Sequence, residues 1–212
     1  MLIYLFRHGQ TVYNADGERF CGSSDVGLTA LGWQQVRESA TLVRDAQISK
    51  IFHSGLRRSY ETASAIAELH PQLTTKSFVE VPSFREVGFG VFEGLTRAEA
   101  AKMYPDVYAN WLVRPEEVRI PEGEDLRERQ AEVLAEFRTI AATNQSEDIA
   151  IVAHNTINRL LLAALMGADA GAYRTLVQRN ACLNVIEITE NQDVRIHAIN
   201  VVPEVPVAAP VM

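Results

Sequence analysis

The sequence predicts an α/β fold, a three-layer α/β/α sandwich with a mostly parallel central sheet. Short apolar runs, which are typical of buried strands, alternate along the chain with longer stretches in which apolar residues recur at helical spacing. The run at 149–153 is wholly apolar and is followed at once by an apolar helical stretch. Strands that alternate with helices favour parallel pairing within one sheet.

The first half of the chain contains three predicted strands and two long predicted helices. A strand at 2–6 precedes a helix over 29–45, for which Thr29 is the expected N-cap. A second strand at 51–53 ends at Ser54, which we expect to cap a helix that continues to Leu69. Pro71 follows that helix and closes it, because proline cannot continue the helical hydrogen bonds. A third strand covers 78–81.

The second half begins with an irregular, glycine-rich stretch at 82–95. Thr96 and Glu99 then form a predicted capping box, which opens a helix that stops before Pro105. Residues 105–120 predict a short helix and a loop, and a longer helix is expected over 125–142. The strand at 149–153 leads into a helix over 156–166. Two last strands, 182–188 and 194–200, are expected to pair around residues 190–193.

Length and composition indicate one domain with a substantial core. The chain has 212 residues, of which 47% are hydrophobic, and we assign residues 1–202 to a single domain and 203–212 to a flexible tail. No stretch has the length and apolar character of a membrane helix, and the N-terminus lacks the pattern of a signal peptide. Cys21 and Cys182 do not suggest a disulfide framework or a zinc site. A cytoplasmic location is therefore expected.

The net charge of −7 excludes some partners and leaves others open. An acidic chain is poorly suited to non-specific nucleic-acid binding, which requires a basic face. A small phosphorylated metabolite stays possible as a partner, because a pocket needs only a few converging arginines. The apolar region at 181–201 is compatible with a homodimer, but burial within one chain accounts for it equally well.

Charged and nucleophilic side chains follow three of the predicted strands. Arg7 and His8 come directly after the first strand, Arg58 lies shortly after the second, and His154 follows the fourth. In open α/β sheets, ligands bind at the carboxyl ends of the strands. We therefore expect these side chains to converge on one edge, although the adjacent Arg57 leaves open which arginine points inward.

Such a cluster favours phosphate chemistry. Two guanidiniums and two imidazoles are costly to assemble unless an anion binds among them. The arginine fork matches phosphate oxygens bidentately, and histidine is nucleophilic near neutral pH when a hydrogen bond to its other nitrogen fixes the tautomer. The residues therefore predict a phosphate pocket with a histidine nucleophile.

The sequence also resembles the histidine phosphatase superfamily, the phosphoglycerate-mutase-like enzymes. The similarity extends from residue 2 to about 188 and depends on six ordered segments rather than on one short motif. These segments are Arg7-His8-Gly9-Gln10-Thr11 with Asn14, residues 25–32, residues 54–63 with Arg58, residues 84–94 with Glu86, residues 121–124, and residues 152–154 with His154.

The resemblance implies a phosphatase mechanism without a metal or another cofactor. His8 would attack phosphorus and form a phosphohistidine, while Glu86 would protonate the leaving oxygen and then activate water. Arg7, Arg58 and His154 would hold the phosphate oxygens. Additional substrate-binding residues are expected near the phosphate or the pocket mouth; they are Gln10, Thr11, Asn14, Cys21, Gly22 and Asn155.

Four positions depart from the family pattern and bear on specificity. Cys21 stands where glutamine is frequent, and Asn155 replaces the usual glycine after the second histidine. Ser59 and Glu61 replace an alanine and a glutamine that the family pattern has near Arg58. The aromatic residues Phe20, Phe89 and Trp111 fall where loops are expected to roof the pocket. Substrate classes suggested by the resemblance are sugar or glycerate phosphates, phosphoserine and α-ribazole phosphate.

Three other interpretations fit the sequence less well. A metal site at His8, His154, Asp25 and Glu86 lacks metal-ligand spacing and would be repelled by the arginines. A phosphoglycerate mutase would use the same phosphohistidine, but mutases in this family are longer between the acid and the second histidine than residues 87–153 allow. A non-catalytic phosphate-binding domain would not need the complete set of catalytic residues.

Overall fold

The computed structural model describes residues 1–203, whose strands form one six-stranded sheet in the order β3-β2-β4-β1-β5-β6. Strands β1 to β4 are parallel to one another, whereas β5 is antiparallel to both of its neighbours. The predicted fold class is confirmed. The strands are β1 (Leu2–Arg7), β2 (Ile48–His53), β3 (Phe78–Glu80), β4 (Asp148–Ala153), β5 (Leu183–Ile188) and β6 (Val194–Val201).

The helices begin where the sequence offers caps. Thr29 accepts a hydrogen bond from the Gly32 amide, Thr96 and Glu99 form the predicted capping box, and Asp125 caps the longest helix. The helices within the described residues are α1 (Val12–Ala15), α2 (Ala30–Ala40), α3 (Arg57–Ala67), α4 (Arg97–Met103), α5 (Pro105–Val113), α6 (Leu126–Thr143) and α7 (Asn155–Leu165), with short 3₁₀ turns between several of them.

Two predictions about helix ends are wrong. Ser54 does not cap α3, which begins at Arg57 with Leu56 in the cap position. The Ser54 hydroxyl accepts from the Leu56 amide at 3.3 Å, just before α3, and is 2.8 Å from the ring of His154, a residue distant in sequence. The first long helix ends at Ala40 and continues only as a 3₁₀ turn to Val43. Two short helical segments, α1 and a 3₁₀ helix over Ala170–Thr175, were not predicted.

Two apolar clusters cover the two faces of the sheet. Along β1, Ile3 and Leu5 pack into the cluster that contains α6 and α7, whereas Phe6 packs into the cluster beneath α2 and α3. Strand β4 alternates in the same way, with Ile151 on the first face and Val152 on the second. Side chains of a strand point alternately to opposite faces, so strands that are apolar at every position hold the middle of three layers.

The parallel register brings three strand ends to the same edge. Arg7 at the end of β1 is paired with Ala153 at the end of β4, and His53 at the end of β2 is paired with Val152. The amide of His8 donates to the carbonyl of Ala153 at 3.1 Å, which continues the hydrogen bonds between β1 and β4 by one residue. The residues that follow these strands therefore leave the sheet side by side.

Residues 204–212, which contain nearly all of the predicted flexible tail, lie outside the described residues. Within residues 1–203, every helix is too short or too polar to cross a membrane.

A close backbone contact fixes the loop that follows β1. A Cβ atom on Gly32 would lie 2.1 Å from the carbonyl oxygen of Gln10, and one on Gly9 would lie 2.5 Å from the carbonyl oxygen of Gly32. Real side chains do not approach backbone oxygen so closely, so both positions require glycine. This contact presses the first turn of α2 against the residue next to His8.

We expect Gly32→Ala to lower the free energy of unfolding by about 1–3 kcal/mol, because the added methyl must displace a backbone carbonyl. Urea unfolding curves measure the change. Gly88→Ala is the matched control, since its nearest neighbour would lie at 3.4 Å, an ordinary contact. Equal stability of the two variants would contradict this account of the loop.

Candidate active site

His8 lies at the edge of the sheet with its tautomer fixed by the backbone. Its Nδ1 is 2.7 Å from the carbonyl oxygen of Gly9. A carbonyl can only accept, so Nδ1 carries the proton and donates it, which leaves the lone pair of a neutral ring on Nε2. The side chain is buried but lines a cavity, so this lone pair belongs to a group that is protected from bulk water.

His154 is also held as a neutral ring. Arg58 Nε donates to His154 Nδ1 at 3.2 Å, and the opposite nitrogen, Nε2, is 2.8 Å from the Ser54 hydroxyl. Because Nδ1 must accept from the guanidinium, the ring proton is on Nε2 and is donated to Ser54. The rings of His8 and His154 lie 5.1 Å apart between centroids.

Arg58 and Arg57 have opposite environments, which answers the question that the sequence left open. Arg58 is fully buried, and its guanidinium donates to the carbonyls of Gly22 and Ser24 as well as to His154. Arg57 is exposed and pairs with Glu61. Three of the five N–H donors of Arg58 are used in this way, so two are left for a ligand in the cavity.

Arg7 and Asn14 also have donors available. Arg7 Nη1 donates to the Gln178 carbonyl at 2.6 Å, while its Nε is buried without a partner among residues 1–203. Asn14 Oδ1 accepts from Thr11 and from Asn180, which leaves its Nδ2 without a hydrogen bond to the described residues. Unpaired N–H groups beside a cavity are costly unless they meet an acceptor in a ligand or in water.

The carboxyl group of Glu86 is held at the start of α7. Its Oε2 accepts from the Thr156 amide at 3.1 Å, and its Oε1 accepts from the amides of Ile157 and Val87 at 3.3 and 3.0 Å. The free N–H groups of a first helical turn are natural partners for a carboxyl group. This arrangement fixes Glu86, which is buried, in the wall of the cavity that His8 also lines.

These side chains surround one cavity with a volume of about 450 Å³. Phe20, Phe89 and Trp111 line it as well, in the region where the sequence placed a roof. The cavity is lined by seven of the predicted site residues, namely Arg7, His8, Asn14, Cys21, Arg58, Glu86 and Asn155.

Four predicted site residues do not line the cavity. Gln10 accepts from the Thr29 hydroxyl, and Thr11 is buried as the cap of α1, so both stabilise the loop after His8. Gly22 contributes its carbonyl to Arg58 and accordingly positions that side chain. His154 is fully buried behind the wall and contacts Arg58 and Ser54 rather than the open space.

Burial and neighbouring arginines control the ionisation of both histidines. Desolvation, followed by the charges of Arg58 and Arg7, lowers the pKa of His8 well below its ordinary value. Desolvation, followed by the charge of Arg58, has the same effect on the pKa of His154. Burial also raises the pKa of Cys21 to about 11, so this thiol contributes a neutral surface to the cavity.

No group of three or more histidine, cysteine, aspartate or glutamate side chains in the described part of the chain is arranged to hold a metal ion. Asp25, one of the four residues of the alternative metal site, accepts from the amide of Arg57 at 2.6 Å, at the start of α3.

A sequence profile of one protein family covers almost the whole of this chain. The profile of the histidine phosphatase superfamily (branch 1) matches residues 3–201. The chain belongs to the histidine phosphatase superfamily. This match includes every residue of the cavity described above.

Relatives within the superfamily carry several different names. The wheat (Triticum aestivum) 2-carboxy-D-arabinitol-1-phosphatase is 29% identical over 98% of this chain, and the match covers 42% of that protein. The chain therefore spans less than half the length of this relative. A probable phosphoglycerate mutase, GpmB, of Enterobacter is 31% identical over 89% of this chain and 86% of its own.

Solved structures share the fold. The α-ribazole phosphatase of Shigella flexneri superimposes with a TM-score of 0.83 at 25% sequence identity. The superposition covers 95% of this chain and 96% of the other.

The structure adds cavity residues that sequence reasoning missed. Arg159, Tyr173, Arg174 and Gln178 all line the cavity. Arg159 could have been found, because it lies four residues after Asn155 on α7 and so shares its face of the helix. Arg174 had no such signal, since it belongs to a 3₁₀ segment without a periodic pattern.

The lowered pKa values of His8 and His154 predict a loss of stability in acid. In the unfolded chain each imidazole takes up a proton as the pH falls below about 6.5, whereas the folded protein resists this uptake. The free energy of unfolding is therefore unaffected by these histidines above about pH 6.5. Below that pH it falls by up to about 1.4 kcal/mol per histidine and per pH unit.

Urea unfolding at about pH 7.5 and about pH 5.5 measures this loss of stability. The two values bracket the ordinary histidine pKa of about 6.5. We expect His8→Asn and His154→Asn each to lose less stability on acidification than the unmodified protein. Identical acid losses in all three proteins would show that the two rings do not resist protonation.

Proposed function

We propose that this chain is a phosphomonoester hydrolase that forms a phosphohistidine on His8, without a metal or another cofactor. The observation that carries the proposal is the bond from His8 Nδ1 to the Gly9 carbonyl, because it directs the ring lone pair to Nε2. A neutral imidazole at neutral pH, in a cavity that Arg7 and Arg58 also line, is suited to attack a phosphate dianion.

The first step transfers the phosphoryl group to the enzyme. The Nε2 lone pair of His8 forms a bond to phosphorus while the bond from phosphorus to the substrate oxygen breaks. The carboxyl group of Glu86, in its protonated form, gives its proton to the departing oxygen, so an alcohol leaves. The phosphoryl group remains on His8 and the carboxylate remains on Glu86.

The second step releases phosphate. A water molecule attacks phosphorus, the Glu86 carboxylate accepts a proton from it, and the bond between phosphorus and Nε2 breaks. Inorganic phosphate leaves, and both His8 and Glu86 return to their starting forms. One carboxyl group therefore serves as acid in the first step and as base in the second, because the second step runs the proton transfer in the opposite direction.

Positive charge and N–H donors stabilise the transferred group. Arg7, Arg58 and Asn14 offer unused donors at the cavity, and loss of one such donor costs on the order of 10²–10³-fold in rate. We assign His154 a positioning role, because both of its ring nitrogens are engaged by Arg58 and Ser54. By holding Arg58 Nε, His154 sets the direction of the remaining guanidinium donors.

Relatives support a hydrolase that acts on a small phosphorylated metabolite. Two relatives at this similarity are named as phosphatases, of 2-carboxy-D-arabinitol 1-phosphate and of α-ribazole phosphate. We infer the same class of reaction for this chain and propose that it acts in the cytoplasm.

A mutase is the second candidate, because the chain is 31% identical to a probable phosphoglycerate mutase. A mutase would return the phosphoryl group to a second hydroxyl of the same molecule, whereas a hydrolase gives it to water. Incubation of 3-phosphoglycerate with and without a bisphosphoglycerate primer distinguishes the two. Phosphate release that does not depend on primer supports the hydrolase, and primer-dependent isomerisation without phosphate release contradicts it.

The direct test is hydrolysis of p-nitrophenyl phosphate in excess EDTA. We expect the unmodified protein to retain its full rate, and His8→Asn to lose activity by on the order of 10³-fold or more, because the nucleophile is removed. His70→Asn is the matched control, since His70 is equally buried but does not line the cavity.

Two results would contradict the proposed function. Loss of the unmodified protein's activity in EDTA would require a metal, and an unchanged rate in His8→Asn would remove His8 as the nucleophile. Thermal unfolding of each variant confirms that a loss of rate does not reflect a loss of structure.

A further inference from the structure

The cavity carries far more positive charge than one phosphate group requires. Six arginines line it among the described residues, against two glutamates, although the chain has a net charge of −7. Arg7 and Arg58 lie beside His8 and account for the phosphate pocket. Arg19 pairs with Asp16 and Glu99, so its charge is already balanced. Arg97 is exposed on the first turn of α4. Arg159 and Arg174 are half-buried and belong to neither of these groups.

Arg159 and Arg174 both place their guanidiniums against one aromatic ring. The guanidinium of Arg159 lies 4.7 Å from the centroid of the Tyr173 ring, and that of Arg174 lies 5.5 Å from the same centroid. Arg174 also stacks over Trp111 at 4.1 Å. Two cations at one ring lose rotational freedom and part of their hydration, so each is prepared to bind an anion at a lower entropic cost.

Neither arginine is neutralised by a carboxylate. Salt bridges within residues 1–203 include neither Arg159 nor Arg174. Arg159 uses only Nε, which donates to the Tyr173 carbonyl, and Arg174 uses Nε and Nη1, which donate to the Tyr173 hydroxyl and the Leu112 carbonyl. The Nη2 of Arg174 is buried and has no partner in this part of the chain.

The pair lies close enough to the phosphate pocket for one small molecule to reach both. Arg159 lies one helical turn after Asn155, about 6 Å along the axis of α7, whose first turn holds Glu86. Arg159 and Arg174 line the same cavity of about 450 Å³ as His8, Arg7 and Glu86. Burial lowers the pKa of Arg159, and the neighbouring Tyr173 and Glu86 oppose this shift.

We propose that Arg159 and Arg174 form a second anion subsite, and that the substrate is a phosphomonoester with a second anionic group, a carboxylate or a phosphate. This inference rests on the proposed function, since the phosphate at His8 sets the position of the rest of the substrate. The free N–H groups of both guanidiniums bind the oxygens of the second anion, while Trp111 and Tyr173 hold the guanidiniums in place.

The test compares two probes that differ only in the second anion. 3-Phosphoglycerate has a carboxylate where glycerol 3-phosphate has a hydroxymethyl group. We expect the ratio of their kcat/KM values to favour 3-phosphoglycerate by about 10-fold or more, and to fall by about 10- to 100-fold in Arg159→Gln and in Arg174→Gln. The loss is expected mainly in KM.

The ratio of the kcat/KM values for fructose 1,6-bisphosphate and fructose 6-phosphate makes the same comparison for a second phosphate. A preference in the first pair of probes assigns the subsite to carboxylates, and one in the second pair assigns it to phosphates. In either pair the preference must disappear in the two variants.

The ratio of the two kcat/KM values cancels a structural loss of activity, because damage to the fold would lower both values alike. Arg179→Gln is the matched control, because it removes the same charge from an exposed residue outside the cavity and should leave the ratio unchanged. Arg174→Lys keeps the charge without the fork and should recover only part of the preference. Retained hydrolysis of glycerol 3-phosphate shows that each variant is folded.

Equal kcat/KM values for both members of each pair in the unmodified protein would overturn the inference. So would equal losses on both members in the variants. Either result leaves the proposed function intact as long as p-nitrophenyl phosphate is hydrolysed with dependence on His8. If hydrolysis of p-nitrophenyl phosphate did not depend on His8, that result would instead contradict the proposed function.

Discussion

The burial of Arg58 without a carboxylate partner is the constraint on which the site depends. A guanidinium that is completely buried must find hydrogen-bond acceptors, and here they are the carbonyls of Gly22 and Ser24 and the Nδ1 atom of His154. The 22–24 loop must therefore fold over the sheet edge, and His154 must stay neutral and donate to Ser54. None of the ion pairs within residues 1–203 includes Arg58, so its guanidinium is available to an anion in the cavity.

The helix α7 connects the phosphate chemistry to the rest of the cavity. Its first amides hold Glu86, its first residue is Asn155, and Arg159 follows one turn later on the same face. A single rigid element thus sets the spacing between the acid and the outer arginines. In an acidic chain, a cavity lined by arginines concentrates the field and attracts small anions.

Much of the fold could be predicted, because its strands are local apolar runs and its helices carry local caps. The convergence of Arg7, His8 and Arg58 followed from strand ends in a parallel sheet. What the sequence could not provide were contacts between distant segments. Ser54 has the pattern of a helix cap but bonds to a residue 100 positions away. Arg174 reaches the cavity from an irregular segment whose path depends on packing against Trp111.

The measurement that tests the central claim most directly is chemical trapping of the phosphorylated enzyme. The protein is mixed with substrate and quenched in alkali, where phosphohistidine survives, and its peptides are analysed by mass spectrometry. The account predicts one phosphoryl group on His8, formed at least as fast as the overall turnover. A phosphoryl group on another residue, or turnover without any phosphorylated enzyme, would contradict it.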